Sequence, residues 1–303
     1  MMLGLSLAVV VALVLGLVVW KASGHGSGGS GSASDGDVDR TVGLLRERDP
    51  VCDEWGKYAD ELAEHEEQWA AVNKGIPATK WTPEQREIFE SVGRAMSAAA
   101  DQFESILPDA RNVVLQELIA QTIVYLRAYV ERIPNYVESD GLIAGVAGNF
   151  SNAATYMCSA VPLVSAGDAL SLSSSVQKPS ELEDFMKVRD PVCDEFVALV
   201  DRQNSALIGW AAIDSTVNQV HWTSKQRTLY DAVRKTITRN LTRFREIASL
   251  AKGRVMGDLM ATQNAYMEAF ADAIPSYAPE DQQLWAAVNS LGGGLAAACE
   301  SQL

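Results

Sequence analysis

Four cysteines, three histidines and a scatter of tryptophan, tyrosine and arginine side chains are the groups through which this chain could do chemistry. The histidines give little. His25 lies in a Gly/Ser tract, and neither His65 nor His221 has a Cys or His at metal-ligand spacing, so no metal site is expected. No Gly-x-Ser-x-Gly element, phosphate loop or dinucleotide fingerprint occurs, and no nucleophile stands beside a candidate base. Aspartate and glutamate are abundant, but spacing alone selects no catalytic pair. No cofactor is implied. The cysteines Cys52, Cys158, Cys193 and Cys299 permit three disulfide pairings, or four buried thiols, until a larger pattern is recognised.

That pattern is an internal duplication. Arg48-Asp-Pro-Val-Cys-Asp-Glu54 recurs as Arg189-Asp-Pro-Val-Cys-Asp-Glu195, an offset of 189 − 48 = 141. The same offset carries Trp69 to Trp210, Trp81 to Trp222, Gln85-Arg86 to Gln226-Arg227, Tyr125 to Tyr266, Tyr136 to Tyr277 and Cys158 to Cys299, with no insertion or deletion. The repeat makes one pairing natural, Cys52 with Cys158 and Cys193 with Cys299, each enclosing the same stretch, 158 − 52 = 299 − 193 = 106. Matched disulfides point to an oxidising compartment.

Each copy reads as a four-helix bundle. Cys52, Trp55, Ala59, Leu62, Trp69 and Val72 recur at spacings of three and four; so do Ile88 to Ile106 and Val114 to Ile133, and a fourth small-residue stretch runs from about Gly141 to Cys158. Strand-like alternation is absent. In an up-down-up-down bundle the first helix begins and the fourth ends at the same end, which is where Cys52 and Cys158 would lie. Thr82 and Gln85 form a capping box with Pro83 at the first helical position, and Thr223 and Gln226 repeat it. Asp49 before Pro50, and Asp190 before Pro191, read as caps of each first helix. Pro134 and Pro275 end the third helices. Ser180 and Glu183 read as caps of a short helix before the second copy, with Asp37 to Glu47 as its counterpart. Gly292-Gly-Gly294 reads as close packing or a helix break.

Residues 1–21 differ from the rest. Leu3 to Trp20 is uncharged and apolar, and about 18 such residues just span a bilayer. Trp20 and Lys21 suit a membrane interface, whereas Ala22 and Gly24 would suit signal cleavage. Residues 22–36 read as a Gly/Ser tether. The fold class expected is therefore all-α: a transmembrane anchor, helical repeat 1 at 37–160, a linker at 161–177 and helical repeat 2 at 178–303. The expected location is a single-pass cell-membrane protein whose bulk is extracytoplasmic, or a secreted one if the signal is cleaved.

Charge bounds the partners. Lys plus Arg number 25 against 39 Asp plus Glu, a net charge of −14, which repels a phosphate backbone and argues against nucleic acid. Lys235, Arg239 and Arg243 lie four apart on one helix face, a candidate contact for anionic headgroups or for the acidic first helix of copy one, or else a solvated face. Trp81, Arg86 and Tyr136, with Trp222, Arg227 and Tyr277, gather at the end of each bundle opposite the disulfide. They form either a plug or a duplicated aromatic–arginine binding surface. The reading that results is a noncatalytic, membrane-anchored scaffold or binding protein with a protein partner in the cell envelope. The alternatives are a module for a lipid or other apolar ligand, and an enzyme of unknown class.

Overall fold

The computed structural model describes residues 39–164, 172–173 and 185–301. The apolar run, the tether, and the proposed cap at Ser180 and Glu183 lie outside the described residues. Eight α-helices account for most of the described chain. Copy one contains α1 (Cys52–Ala70), α2 (Pro83–Ile106), α3 (Val113–Arg132) and α4 (Gly141–Ala160). Copy two contains α5 (Cys193–Ala211), α6 (Ser224–Leu250), α7 (Arg254–Ala273) and α8 (Gln282–Glu300). All four pairs begin at the offset of 141.

One divergence in length has a local cause. Pro108 has no N–H to continue a ladder, so α2 stops at Ile106 and passes into a single 3-10 turn at Leu107–Asp109. Ser249 stands at the duplicate position, and α6 runs on to Leu250. Elsewhere the local signals act alike in both copies. Both capping boxes form, with Thr82 accepting from the Gln85 N–H and Thr223 from the Gln226 N–H. Pro134 and Pro275 sit in the 3-10 turns that follow the third helices. The disulfides join Cys52 to Cys158 and Cys193 to Cys299, with Cα separations of 5.6 and 5.3 Å.

Two local expectations fail. Asp49 does not cap α1: the flanking residue is Val51, which offers no side-chain cap. The Asp49 carboxylate is buried and accepts the N–H groups of Val51 (3.1 Å), Arg111 (3.0 Å) and Asn112 (2.7 Å), tying the first helix to the start of the third. Asp190 does the same with Val192, Lys252 and Gly253. A carboxylate is favoured there by the orphan N–H groups and dipole of a helix start. Nor is there a helix at residues 39–47. Thr41–Val42 forms β1, which pairs antiparallel with β2 (Leu172–Ser173), within the stretch expected as linker. Strands of two residues are too short to leave an alternation in the sequence.

Within each copy the first helix packs on the second and fourth, and the third on the second and fourth, as an up-down-up-down bundle requires. Aromatic rings fill the interior: Trp55 stacks on Phe103 at 4.2 Å in copy one, and Phe196 meets Phe244 edge-on at 6.2 Å in copy two. Burying such a side chain contributes about 1.5–3 kcal/mol. The most extensive helix–helix packing, however, lies between copies, where α4 runs against α8. Asp37–Leu303 is accordingly one compact unit. Alanine and glycine let the two backbones approach. A Cβ at Gly294 would stand 2.5 Å from two ring carbons of Phe150, and one at Gly293 would stand 2.8 Å from Asn149 Oδ1. The triple glycine is thus a close-packing element in an unbroken helix.

Candidate functional site

The aromatic ends are built alike. Trp81 stacks on Phe89 at 4.0 Å and lies 5.5 Å from Tyr136; Trp222 stacks on Tyr230 at 3.9 Å and lies 5.5 Å from Tyr277. Their polar atoms close the loop after the first helix. Trp81 Nε1 donates to the Ile76 carbonyl at 2.8 Å and Tyr136 to that of Lys74 at 2.8 Å. In copy two Trp222 Nε1 donates to Val217 at 2.9 Å and Tyr277 to Ser215 at 2.7 Å. Burial pushes the Tyr136 phenol up to about 12 and raises that of Tyr277 as well, so both stay neutral donors. Trp81 and Tyr136 are 9% and 1% exposed, which places their rings in the core and leaves the guanidinium groups as the part facing solvent. Arg86 lies over the Trp81 ring at 5.6 Å and donates to the Ala78 carbonyl at 3.0 Å, whereas Arg227 reaches only Gln219 Oε1 at 3.4 Å.

Lys235, Arg239 and Arg243 are all exposed on α6. Arg243 pairs with Glu195 on α5 and with Glu246 at 2.7 Å, and Arg239 donates to Thr236 at 3.3 Å. On the same helix Arg245 pairs with Glu268 at 2.6 Å. These contacts brace copy two itself, and exposed pairs of this kind add little stability. The charge is carried mainly by copy one. Residues 37–160 hold 11 basic and 21 acidic groups, 11 − 21 = −10, and residues 178–303 hold 13 and 16, 13 − 16 = −3.

One acidic residue of α1 stands apart. Glu66 is half-buried, where copy two has the buried Leu207. Burial raises its carboxyl to about 7, opposed by the attraction of Lys74. Lys74 in turn closes the end of α1, donating to the carbonyls of Trp69 and Ala70 and lying 4.2 Å from the Trp69 ring.

A cluster that spacing did not single out lies between the copies. Glu117 on α3 is fully buried and pairs with Arg254 on α7, which also holds Asp258 at 2.7 Å. Burial, then the nearby Asp258, push the Glu117 carboxyl well up, against the pull of Arg254. The available signal was a lone acid in the apolar run Val113–Ala120, with an acid again at the offset position, 117 + 141 = 258. The cleft beside the Cys52–Cys158 disulfide, about 350 Å³, is lined by the charged side chains of Arg48, Asp53, Lys57 and Asp60 together with Trp55 and Thr155. No group of three or more metal-ligating side chains is assembled among the described residues. The apolar helix Val113–Asn135 has the length of a membrane span, but most of it is buried inside the bundle as a core helix.

Against this geometry the family comparison is decisive. The profile described as mycobacterial ESX-1 associated protein matches residues 32–303, nearly all of the chain. The chain belongs to this family. An uncharacterised protein of Mycolicibacterium smegmatis (strain MKD8) is 28% identical over 253 residues, covering 80% of this chain and 67% of its relative. No solved structure matches.

Proposed function

We propose that this protein is a noncatalytic, extracytoplasmic scaffold that binds a protein partner in the cell-envelope complex its family is named for, the ESX-1 secretion system. The run from Leu3 to Trp20 ties it to the membrane, and its two disulfides suit the oxidising side.

The observation that carries the reading is how the duplicates have diverged. Their cores and disulfides correspond, but their surfaces do not. Four of the five large apolar side chains exposed among the described residues, Val188, Ile208, Val220 and Leu250, belong to copy two. Copy one has Glu47, Glu67, Thr79 and Asp109 at those positions. Two like-cored bundles locked together thus present one acidic and one partly apolar exterior, and that difference supports a surface that contacts a partner.

The test exchanges surface residues between the copies. Ile208→Glu with Val220→Thr is expected to abolish co-purification with ESX-1 components from cross-linked envelopes while leaving the melting temperature unchanged. Replacing Arg86 and Arg227 by Ala asks the same of the aromatic ends. Undiminished co-purification in all these variants, or a wild-type chain recovered without any ESX-1 component, would overturn the proposal.

A further inference from the structure

The contact between copies is reciprocal. Tyr266 on α7 receives the Leu45 N–H at 3.2 Å, and its duplicate Tyr125 on α3 packs edge-on against Phe185 at 6.4 Å. Leu45 and Phe185 occupy neighbouring positions of the repeat, since Leu45 is matched by Met186 (45 + 141) and Phe185 by Leu44 (44 + 141). Each copy therefore lays the segment preceding its first helix on the other copy's third helix. The fourth helices α4 and α8 face each other, and so, less extensively, do the third helices α3 and α7. A surface that meets its own duplicate, with i on j and j on i, is the arrangement of a two-fold dimer.

Among the differences between the duplicates in this face, one changes a buried charge. Glu117 and Asp258 are equivalent acids, but Arg254, which bonds both, is matched in copy one by Val113, 113 + 141 = 254. Pairing copy one with itself would bring two buried carboxyl groups together with valines in place of the arginine, so that neither has a cation and both must be buried protonated or unpaired, a costly arrangement. Pairing it with copy two supplies the cation. We propose that α3, α4 and Leu44–Leu45 form a dimerisation face that recognises a second bundle of this same fold, here fused in cis, and that Arg254 makes copy one pair with copy two and not with itself. The partner this face fits is a bundle with an arginine at the start of its third helix.

The test uses the compact unit Asp37–Leu303 with a protease site placed between residues 165 and 171, cut after folding and oxidation. Each half stays closed by its own disulfide. Native mass spectrometry across a dilution series should find wild-type halves as a one-to-one pair, with no homodimer of copy one. Arg254→Val should weaken that pair on the order of a hundredfold or more, as breaking a buried ion pair does. The triple variant Glu117→Leu, Arg254→Val, Asp258→Leu should restore it to within about tenfold, because apolar replacement of a whole buried cluster is tolerated. Copy-one homodimers in the wild type, an unaffected Arg254→Val, or a triple variant as weak as the single one would each overturn the assignment.

Discussion

Gly294→Ala reads the closeness of α4 and α8 directly. In an exposed helix interior, replacing glycine by alanine stabilises by about 1 kcal/mol through propensity. At Gly294 the new methyl would stand 2.5 Å from Phe150 Cδ1 and Cε1 and 3.3 Å from Asn149 Cβ. Phe150 cannot simply turn aside, because it is fully buried and meets Tyr125 at 6.5 Å and Phe185 at 6.0 Å. Overpacking costs about 1–3 kcal/mol, and two contacts at 2.5 Å put this one in the upper part of that range, about 2–3 kcal/mol, so after the propensity gain the net change is a destabilisation of about 1–2 kcal/mol. Gly148, exposed on α4 with nothing within 4 Å of its added Cβ, is the internal control and should be stabilised by about 0.5–1 kcal/mol. Gly292→Ala should fall between, since it meets only the terminal amide of the buried Gln263, at 2.6 Å, and no ring. Calorimetry of the oxidised proteins should place Gly294→Ala and Gly148→Ala on opposite sides of the wild type, roughly 4–10 °C apart. Equal stabilisation at both positions would mean that α4 and α8 do not pack at this distance, and would refute the account of the fold.

Asp49→Ala strands three backbone N–H groups and should cost at least about 3 kcal/mol; Asp190→Ala should cost a similar amount, and denaturant titration of the two variants tests whether the duplicates share the role. Because burial raises Glu66 from 4.5 to about 7, the folded chain holds a proton that the unfolded chain releases, so stability falls as pH rises from about 4.5 to about 7 and then levels. Glu66→Gln should remove that slope, matching the wild type near pH 4 and exceeding it by on the order of 1–3 kcal/mol near pH 8; parallel pH profiles would count against it. Non-reducing peptide mapping should recover Cys52 linked to Cys158 and Cys193 to Cys299. Removing either bridge by paired alanine substitution should cost about 2–4 kcal/mol, since each closes a loop near a hundred residues long.

Repetition and periodicity made much of this molecule legible before any coordinates. The offset of 141 exposed the duplication and selected the disulfide pairing, and spacings of three and four located the helices. Capping boxes and prolines marked several boundaries because their partners lie within four residues, so the physics is local. The aromatic ends were visible as repeated Trp, Tyr and Arg, but only side-chain packing could place the rings inside and the guanidiniums outside. Asp49 was misread because its partners at Arg111 and Asn112 are 62 and 63 residues away, while its neighbour Pro50 imitates a local cap.

What tertiary structure alone decided is how the copies meet. Periodicity shows that a helix has an apolar face, but not which element covers it. The small residues of α4 and α8 are compatible with any close neighbour, and they found each other. Glu117 lies 137 residues from Arg254, and no spacing rule connects them. Only the fold brings them together, where the arginine offsets part of the cost of burying the carboxyl group.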